Sequence, residues 1–335
     1  MDKPEILLSV IIPCKNEEKN IVRCLVSLFA ELKNIQGSEV LLVDSRSTDK
    51  SVEEAKRFPI NIIQLKENWD ISPAAARYVG CVNTSGKYRL FIDGDMELIP
   101  GFLDKAINFL QTRKQAAAVA GLGAEFYSEG GNLENMYQRK PTVAQVDFIA
   151  GAGLFKSEAL DKAGYFNPFL KAEEEHELAQ RLKKADYSLF TLPIPMINHY
   201  TSQGMNNFQR RLKAGMFKGI GQMFRVTLES GTFSFKYFLR FRWFIGFILI
   251  LSGLIAAVAA WFIWGNHLLL ANLLGFLVLI FLISWYSKAG IKKGILSLYK
   301  AVLINNQILL GLFTKTPDSS AYPLDIIIIK KEGIC

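Results

Sequence analysis

Three short apolar runs, each ending abruptly at proline or aspartate, constrain the fold of this chain more than any other feature. The runs and the residues that end them are 7–12 with Pro13, 39–43 with Asp44, and 90–92 with Asp93. Helical periodicity lies between them, and a further apolar run covers residues 60–65. This alternation of strands and helices predicts right-handed crossovers and a doubly wound, mostly parallel α/β sheet.

The polar residues after these strands are expected to line one crevice, because parallel strands share one carboxyl edge. Asp93 and Asp95 are the most informative pair there. Two carboxylates so close raise each other's pKa unless a cation neutralises them. Mg²⁺ or Mn²⁺, held by oxygen ligands, would in turn bind the phosphates of a nucleotide. Taken alone, Asp93-Gly94-Asp95 is more often an acidic turn at the end of a strand.

The composition changes to that of a membrane segment near residue 243. Residues 243–264 and 268–286 are uncharged apolar runs, each near the length of about 20 residues that crosses a bilayer. Lysine and arginine flank the pair and are absent between the runs, which predicts a transmembrane helical hairpin with both ends cytoplasmic. Residues 291–313 contain lysines and a polar run, so an interfacial or re-entrant helix is expected, followed from Thr314 by an extended, peripheral tail.

Charge and cysteine content narrow the class of protein further. The net charge of +8 is concentrated near the apolar runs, which favours an anionic membrane surface, and no nucleic-acid motif accompanies it. The four cysteines lack paired spacing, so neither a zinc site nor a disulfide framework is indicated, and a reducing cytosolic setting fits best. Nothing at the N-terminus resembles a signal peptide. Residues 206–228 predict a basic amphipathic helix, either interfacial or an ordinary surface helix.

Four motifs follow one another along the first part of the chain. They are Pro13-x-x-Asn16-Glu17, Val43-Asp44-x-x-Ser47-Thr48-Asp49, Ala76-Arg77-x-x-Gly80 and Asp93-Gly94-Asp95. In this order and spacing they make residues 5–230 resemble the family 2 glycosyltransferases of the GT-A fold. The resemblance implies a Rossmann-like nucleotide-diphospho-sugar transferase domain. The expected divisions are a catalytic domain at 1–205, an interfacial linker at 206–240, two transmembrane helices at 241–288, and an interfacial or third membrane helix with a cytoplasmic tail at 289–335.

The resemblance also implies roles for individual residues on the donor side. The implied donor-binding residues are Pro13, Asn16, Glu17, Asp44, Ser47, Arg77 and Asp93. Asp44 would contact the nucleobase or ribose, Glu17 would add a second contact, and Arg77 would lie under the nucleotide near its diphosphate. Asp95 is the implied metal ligand for Mg²⁺ or Mn²⁺, with His199 as a second. Asp44 is equally able to cap the next helix, and Arg77 to pair with a surface acid.

The implied catalytic base is Glu175, within Glu174-Glu175-His176-Glu177-Leu178, although the family usually has aspartate there. Helical spacing places Glu175 on one stripe with Leu178 and Leu182, whereas Glu174 and Glu177 share a face with Arg181. The helix N-terminus would keep Glu175 ionised, as a base must be. The implied acceptor-side residues are Gly151, Ala152, Gly153 and Glu174. The glycine-containing stretch 123–141 is expected to form a loop over the site.

The expected activity combines these features. The resemblance implies an inverting, metal-dependent glycosyltransferase of the hexosyl or a related class, with a nucleotide-diphosphate sugar as donor. The hairpin adds a membrane-associated, polyprenyl-linked acceptor, a multi-pass cell-membrane location and a cytoplasmic catalytic domain, as in glycan or polysaccharide biosynthesis. Gln209-Arg210-Arg211-Leu212 lacks the tryptophan of the processive signature, which favours transfer of a single sugar. The alternative is a membrane-anchored, sugar-nucleotide-binding scaffold without activity, suggested by glutamate at position 175.

Overall fold

The architecture is a large sheet flanked by helices, followed by a separate group of apolar helices. In a computed structural model of the chain, residues 6–67, 69–127, 142–201, 208–264 and 291–332 are described. The second predicted membrane run, 268–286, and residues 128–141 of the predicted loop lie outside these ranges.

Ten strands of the described residues form one sheet. They are β1 (Leu8–Cys14), β2 (Ser38–Asp44), β3 (Asn61–Gln64), β4 (Tyr88–Phe91), β5 (Met96–Leu98), β6 (Ala116–Tyr127), β7 (Ala144–Val146), β8 (Gly153–Lys156), β9 (Ser188–Thr201) and β10 (Ile327–Lys330). Their spatial order is β10-β3-β2-β1-β4-β8-β6-β9-β5, and β7 pairs with β9.

The helices of the described residues flank this sheet or follow it. They are α1 (Ile21–Leu32), α2 (Ser51–Ala55), α3 (Pro73–Val82), α4 (Phe102–Thr112), α5 (Ser157–Ala163), α6 (Glu174–Lys184), α7 (Phe208–Lys213), α8 (Met216–Glu229), α9 (Phe235–Phe238), α10 (Arg242–Trp264) and α11 (Ile291–Phe313).

The sheet is mixed, so the prediction of a mostly parallel sheet is only half right. β3, β2, β1 and β4 are parallel neighbours, as the alternation of strands and helices predicts. β8 then runs antiparallel to both β4 and β6, and β5 and β7 run antiparallel to β9. Short antiparallel strands need no crossover helix, so they leave no βαβ pattern in the sequence.

Two further strands are long. β6 continues to Tyr127, so the first part of the predicted loop is strand, and β9 continues to Thr201, so His199 lies inside a strand. These two strands pair in parallel along most of their length. The pairing carries residues of β9 toward the crevice beyond β4.

The core lies on both faces of the sheet. Successive residues of β1 point to opposite sides: Val10 and Ile12 pack with the layer of α1 and α4, whereas Ile11 packs with the layer of α3. All of β1 is buried, as expected of a central parallel strand covered on both faces. The packing is close at α3, where a Cβ atom on Gly80 would overlap Ile11.

The helices after the sheet pack on one another through a third apolar cluster. The single helix predicted at 206–228 is divided into α7 and α8, because Gly215 adopts a positive φ of 73°. The apolar face of α8 then packs against α11. At this contact a Cβ atom on Gly221 or on Gly311 would overlap the backbone of the opposite helix. The α8 helix is therefore covered by α11 on its apolar side.

One helical stretch in the described parts of the chain, Phe235–Ile263, is long and apolar enough to cross a membrane, as judged by length and composition alone. It includes most of α10 and coincides with the first predicted run. The described residues of α11 do not meet the same criterion.

The C-terminal tail is integrated into the fold, so the prediction of an extended, peripheral tail is wrong. Tyr322 is 2% exposed, and its ring contacts Trp69, Tyr78 and Phe169. Its hydroxyl donates to the carbonyl oxygen of Asp70 at 2.7 Å. Farther on, β10 pairs antiparallel with β3 and completes that edge of the sheet. Strand pairing depends on a distant partner, which local sequence does not reveal.

Candidate active site

The three strand-end loops come together at the carboxyl edge of the parallel strands, as predicted. Asn16 Oδ1 accepts a hydrogen bond from the backbone N–H of Thr48 at 2.8 Å, and the Asn16 N–H donates to Ser47 Oγ at 2.9 Å. The Gly94 N–H donates to the carbonyl oxygen of Pro13 at 3.3 Å. Pro13, Asn16, Ser47 and the Asp93-Gly94-Asp95 turn thus border one crevice.

Asp44 holds the shape of its own loop. Its side chain is fully buried, and its two carboxylate oxygens lie 3.1 Å from the Ser47 backbone nitrogen, which donates to them. Gln64 Nε2 donates to Oδ2 at 2.7 Å. Asp44 therefore stabilises the turn that carries Ser47. A contact between Asp44 and a nucleoside stays a prediction.

Glu17 lies against the Asp93-Gly94-Asp95 turn and is only partly exposed. A Cβ atom added to Gly94 would lie 3.3 Å from Glu17 Cγ, so the two segments are in close contact. Burial raises the pKa of Glu17 to about 7; the hydrogen bond from Asn20 opposes the shift, and the charges of Asp95, Asp49 and Asp93 add to it. A cation bound in the crevice would favour the ionised form of Glu17.

Arg77 is buried and contacts three carboxylates. Its Nη2 lies 2.9 and 3.2 Å from the two oxygens of Asp93, while Nη1 lies 2.7 Å from Glu174 Oε1 and 3.5 Å from Glu175 Oε1. The side chain is 3% exposed. Arg77 was expected to lie under the nucleotide and help with its diphosphate charge. Instead the protein's own acids occupy its guanidinium, so its role here is to hold them together.

The surroundings of Asp93 raise its pKa overall. Burial raises the pKa, Arg77 lowers it, the neighbouring Asp95 and Glu175 raise it again, and His199 lowers it. Asp93 thus lies between a guanidinium on one side and an excess of negative charge on the other. A divalent cation, or the positive charge that develops on a sugar ring in a transition state, would relieve this excess.

Glu174 was expected on the acceptor side of the site, and the structure corrects this. It is 5% exposed, faces Arg77, and has a raised pKa because of burial and the adjacent charge of Glu175. The helical spacing predicted that only Glu175 faces inward. Glu174 and Glu177 are in fact more deeply buried, because each meets a guanidinium: Arg77 for Glu174, and Arg181 at 2.7 Å for Glu177.

Glu175 faces the crevice from the opposite side to the strand-end loops. Its side chain is 21% exposed, and Oε1 accepts a hydrogen bond from the Gly151 N–H at 3.3 Å. Gly151 has a positive φ of 64°, and a Cβ atom there would lie 3.7 Å from Asp93 Oδ2. Gly151 therefore lies between the carboxylates of Glu175 and Asp93. Ala152 and Gly153, also expected on the acceptor side, are buried at the start of β8.

Asp95 and His199 lie side by side and are suited to holding a cation. Pairing of β5 with β9 places Met96 opposite His199, and His199 Nε2 lies 3.1 Å from Asp95 Oδ2. Two neighbouring ligands of a small octahedral cation are about 3 Å apart. Burial lowers the pKa of His199, but the hydrogen bond and charge of Asp95 give a net rise.

These two side chains supply an incomplete metal site. Within the described residues no cluster of three or more His, Cys, Asp or Glu side chains could hold a metal ion. That matches the way Mg²⁺ is bound in nucleotide sites, where one or two protein ligands are joined by substrate phosphates and water. The residues present therefore fit a cation that is bound together with a diphosphate.

Sequence reasoning missed a group of residues next to α6, the helix that carries the expected base Glu175 and is called the base helix below. Glu173, His176 and Tyr237 are joined by hydrogen bonds on the side of α6 that faces α9. The acids around Glu175 drew attention to this motif, but nothing in the sequence indicates Tyr237, which lies 64 residues from Glu173.

Residues 9–169 match the sequence model of the family described as Glycosyl transferase family 2. This part of the chain, from β1 to the segment before α6, is therefore similar to family 2 glycosyltransferases. The match includes Asp44, Arg77, Asp93 and Asp95 and ends before Glu175 and His199.

Relatives extend the similarity. Glycosyltransferase AglE of Haloferax volcanii is 28% identical over 193 residues, which cover 54% of this chain and 63% of AglE. The dolichyl N-acetyl-alpha-D-glucosaminyl phosphate 3-beta-D-2,3-diacetamido-2,3-dideoxy-beta-D-glucuronosyltransferase of Methanococcus voltae is 24% identical over 235 residues, covering 64% of this chain and 73% of that protein. The chain thus spans less than two thirds of the length of AglE. These matches support a transferase.

Solved structures show the same fold. The crystal structure of S. aureus TarS 1–349 in complex with UDP-GlcNAc has a TM-score of 0.51 and 19% sequence identity, and the match covers 67% of this chain and 72% of that one. At this level of identity the similarity concerns the fold alone: a mixed α/β sheet like that of GT-A glycosyltransferases.

Proposed function

We propose that this chain is an inverting, metal-dependent glycosyltransferase that moves one sugar from a nucleotide-diphosphate sugar to a membrane-associated acceptor, in glycan or polysaccharide biosynthesis. The family 2 domain and the fold support the reaction class. The name of the Methanococcus voltae relative, which contains a dolichyl phosphate acceptor, supports a polyprenyl-linked acceptor. The helical stretch Phe235–Ile263, which is long and apolar enough to cross a membrane, supports a membrane location.

One observation carries the proposal: Glu175 and Asp93 face each other across Gly151 and are both held by Arg77. A base must lie opposite the donor-side acids if an acceptor is to attack the sugar from the face away from the nucleotide. A Cβ atom at position 151 would lie 3.1 Å from Met96 Cε and 3.7 Å from Asp93 Oδ2, so a side chain there would crowd the donor-side turn.

The proposed reaction is a single displacement. Glu175 accepts the proton of the acceptor hydroxyl, the hydroxyl oxygen forms a bond to the anomeric carbon, and the bond from that carbon to the diphosphate oxygen breaks. One displacement inverts the configuration of that carbon. The N–H of Gly151 holds the receiving oxygen of Glu175 in place. Arg77 contacts both Asp93 and Glu175 and neutralises part of their mutual repulsion.

The leaving nucleoside diphosphate is expected on the side of Asp95 and His199. Those two side chains would hold Mg²⁺ or Mn²⁺, which supplies positive charge for the departing phosphates when bound. The loop residues Asn16, Glu17 and Ser47 lie on the same side and are the proposed contacts to the nucleoside, with Asp44 supporting their loop.

The proposed acceptor approaches from the membrane. The segment from α7 to the start of α10 contains eight arginine and lysine residues and one glutamate, an excess that suits anionic headgroups. With the positive-inside rule, this supports a cytoplasmic position for the catalytic domain and a multi-pass anchor.

Transfer by the purified full-length chain tests the proposal. The chain is incubated with a panel of nucleotide sugars that includes UDP-GlcNAc, a membrane lipid extract, and Mg²⁺ or Mn²⁺, and the lipid products are identified by mass spectrometry. Glu175→Gln is expected to reduce transfer by about 10²–10⁴-fold, the usual contribution of a positioned base, while donor affinity is retained.

Glu158→Gln is the matched control, because Glu158 is exposed on α5 and has only a long ion pair of 3.8 Å with Lys156. It should leave transfer unchanged. A wild-type chain with neither transfer nor donor hydrolysis across the whole panel would refute the enzyme and favour the scaffold. If Glu175→Gln transfers sugar at the same rate as the control, Glu175 is not the catalytic base.

A further inference from the structure

Three segments meet beside the base helix, in a group of side chains that the donor and metal sites do not use. We call Phe148, Glu173, His176, Tyr237 and Arg240 the junction cluster. Phe148 belongs to the segment that leads to Gly151, Glu173 and His176 belong to the start of α6, and Tyr237 belongs to α9, just before α10. The cluster therefore joins the acceptor-side segment, the base helix and the membrane-proximal helices.

One carboxylate oxygen receives both hydrogen bonds of the cluster. The Tyr237 hydroxyl donates to Glu173 Oε2, and His176 Nδ1 lies 2.8 Å from the same oxygen. Burial raises the pKa of Glu173, but the hydrogen bonds from His176 and Tyr237 outweigh it, so the pKa is lowered and the carboxylate is ionised. A charged acceptor strengthens hydrogen bonds, which makes this a firm connection between α9 and α6.

Glu173 occupies a strained backbone position at the start of the helix. Its φ is 66°, in the left-handed region that residues other than glycine seldom adopt. The residue caps α6 immediately before Glu174 and Glu175. The side-chain bonds of Glu173 therefore act at the point where the helix direction, and with it the position of Glu175, is set.

Ring stacking connects the same helix to the acceptor-side segment. The His176 ring lies between the rings of Phe148 and Tyr237, with centroids 3.6 and 4.1 Å away. The Arg240 guanidinium lies 5.9 Å from the Phe148 ring and 5.8 Å from the Tyr237 ring. Asp147, next to Phe148, makes ion pairs with Lys183 of α6 and Lys236 of α9.

Both elements that hold the carboxylate of Glu175 are thus fixed by the junction cluster. Glu175 lies in the first turn of α6, two residues after Glu173, and its Oε1 accepts a hydrogen bond from the N–H of Gly151, which follows Phe148 by three residues. A change at Tyr237 would reach Glu175 through Glu173 and through the stacked rings. It would not reach Asp95 or the nucleotide loops, which lie on other strands.

We propose that Tyr237, acting through Glu173, is a positioning residue for Glu175, so that the membrane-proximal helix α9 sets the geometry of the catalytic base. This inference rests on the proposed function, since it assumes glycosyl transfer with Glu175 as base. It adds a residue outside the segment that matches the family 2 sequence model, which ends at residue 169.

Tyr237→Phe tests the inference, because phenylalanine keeps the stacked ring and removes only the hydroxyl. In the full-length chain we expect kcat to fall by about 10- to 100-fold, the cost of misplacing a catalytic group by a fraction of an ångström to one ångström. Donor affinity, measured by calorimetry, and Tm should match the wild type. Tyr165→Phe is the matched control: it removes a hydroxyl that donates to Asp161 at 2.8 Å, away from the crevice.

A second variant keeps the test decisive. Glu173→Gln retains Tyr237 and the ring stack but removes the charged acceptor, and it should lower kcat to a similar extent without weakening donor binding. The inference is overturned if both variants transfer sugar at the wild-type rate. It is equally overturned if kcat falls only together with Tm and donor affinity, since that is the result of general destabilisation. A wild-type chain without any transfer would instead refute the proposed function itself.

Discussion

Replacing Arg77 with methionine should destabilise the catalytic domain strongly and in a pH-dependent way. Arg77 is 3% exposed and is the cation nearest to three acids, at 2.7 Å from Glu174, 2.9 Å from Asp93 and 3.5 Å from Glu175. Methionine fills much of the same space but leaves Asp93 and Glu174 without a partner. Removing one member of a buried ion pair costs about 3–5 kcal/mol. At roughly 2–4 °C per kcal/mol for a domain of this size, Tm should fall by about 6–20 °C.

The pH dependence follows from Asp93 and Glu174, the two carboxylates that lose Arg77 as their partner. Without Arg77, burial and mutual repulsion raise the folded-state pKa values of Asp93 and Glu174 above their values of about 4 in the unfolded chain. The folded variant then retains protons that the unfolded chain releases. Its stability is therefore lost as the pH rises from about 4 through the raised pKa values. The deficit in Tm should be small in acid and largest at neutral to alkaline pH.

Thermal unfolding of the full-length chain at several pH values measures this effect. Arg46→Met is the control, because Arg46 pairs with Glu67 at 2.8 Å where the two side chains are 37% and 88% exposed. An exposed pair contributes about 0–1 kcal/mol. The reasoning is refuted if Arg77→Met lowers Tm no more than Arg46→Met, or if its deficit does not change with pH.

Two further predictions concern the metal and the raised pKa of Glu17. Asp95→Asn should weaken metal-dependent binding of UDP, used as a probe nucleotide, by about 10–100-fold. Adding EDTA should then change the affinity of this variant for UDP only slightly. If calorimetry in the presence of Mg²⁺ finds the wild-type affinity, Asp95 is not a metal ligand. Glu17 has a pKa raised to about 7, so the wild-type chain should lose stability as the pH rises from about 4.3 toward 7. The Tm of Glu17→Gln should fall less over that pH interval than the Tm of the wild type. Glu18 is exposed, so Glu18→Gln should behave as the wild type. Equal changes of Tm with pH in all three proteins would contradict a raised pKa for Glu17.

The crevice could be predicted from the sequence because its cause is local. An apolar run that stops at a polar residue marks a strand end, and parallel strands place those ends at one edge. The loops of Pro13, Asp44 and Asp93 meet for that reason. The resemblance then suggested Glu175 as the base and Asp95 as a metal ligand, and both roles stay predictions.

Other parts of the site depend on partners distant in sequence. Helical spacing gives the direction of a side chain but not what lies there, so it missed that Arg77, 97 residues away, makes burial of Glu174 favourable. The register of β9 with β5, which brings His199 next to Asp95, likewise depends on a distant partner. The antiparallel pairing of β8 with β4 and β6, and of β10 with β3, has no local signal either, because β8 and β10 are each only four residues long.

The return of the chain to the sheet at β10 has a consequence for the order of biosynthesis. A ribosome makes β3 early, but residues 327–330 emerge only after α10 and α11 have been made. Until then the outer edge of β3 exposes unpaired backbone N–H and C=O groups, a surface prone to wrong pairing between chains. The aromatic group around Trp69 likewise waits for Tyr322. The sheet is thus completed only after the apolar helices are synthesised, so its folding depends on synthesis of nearly the whole chain.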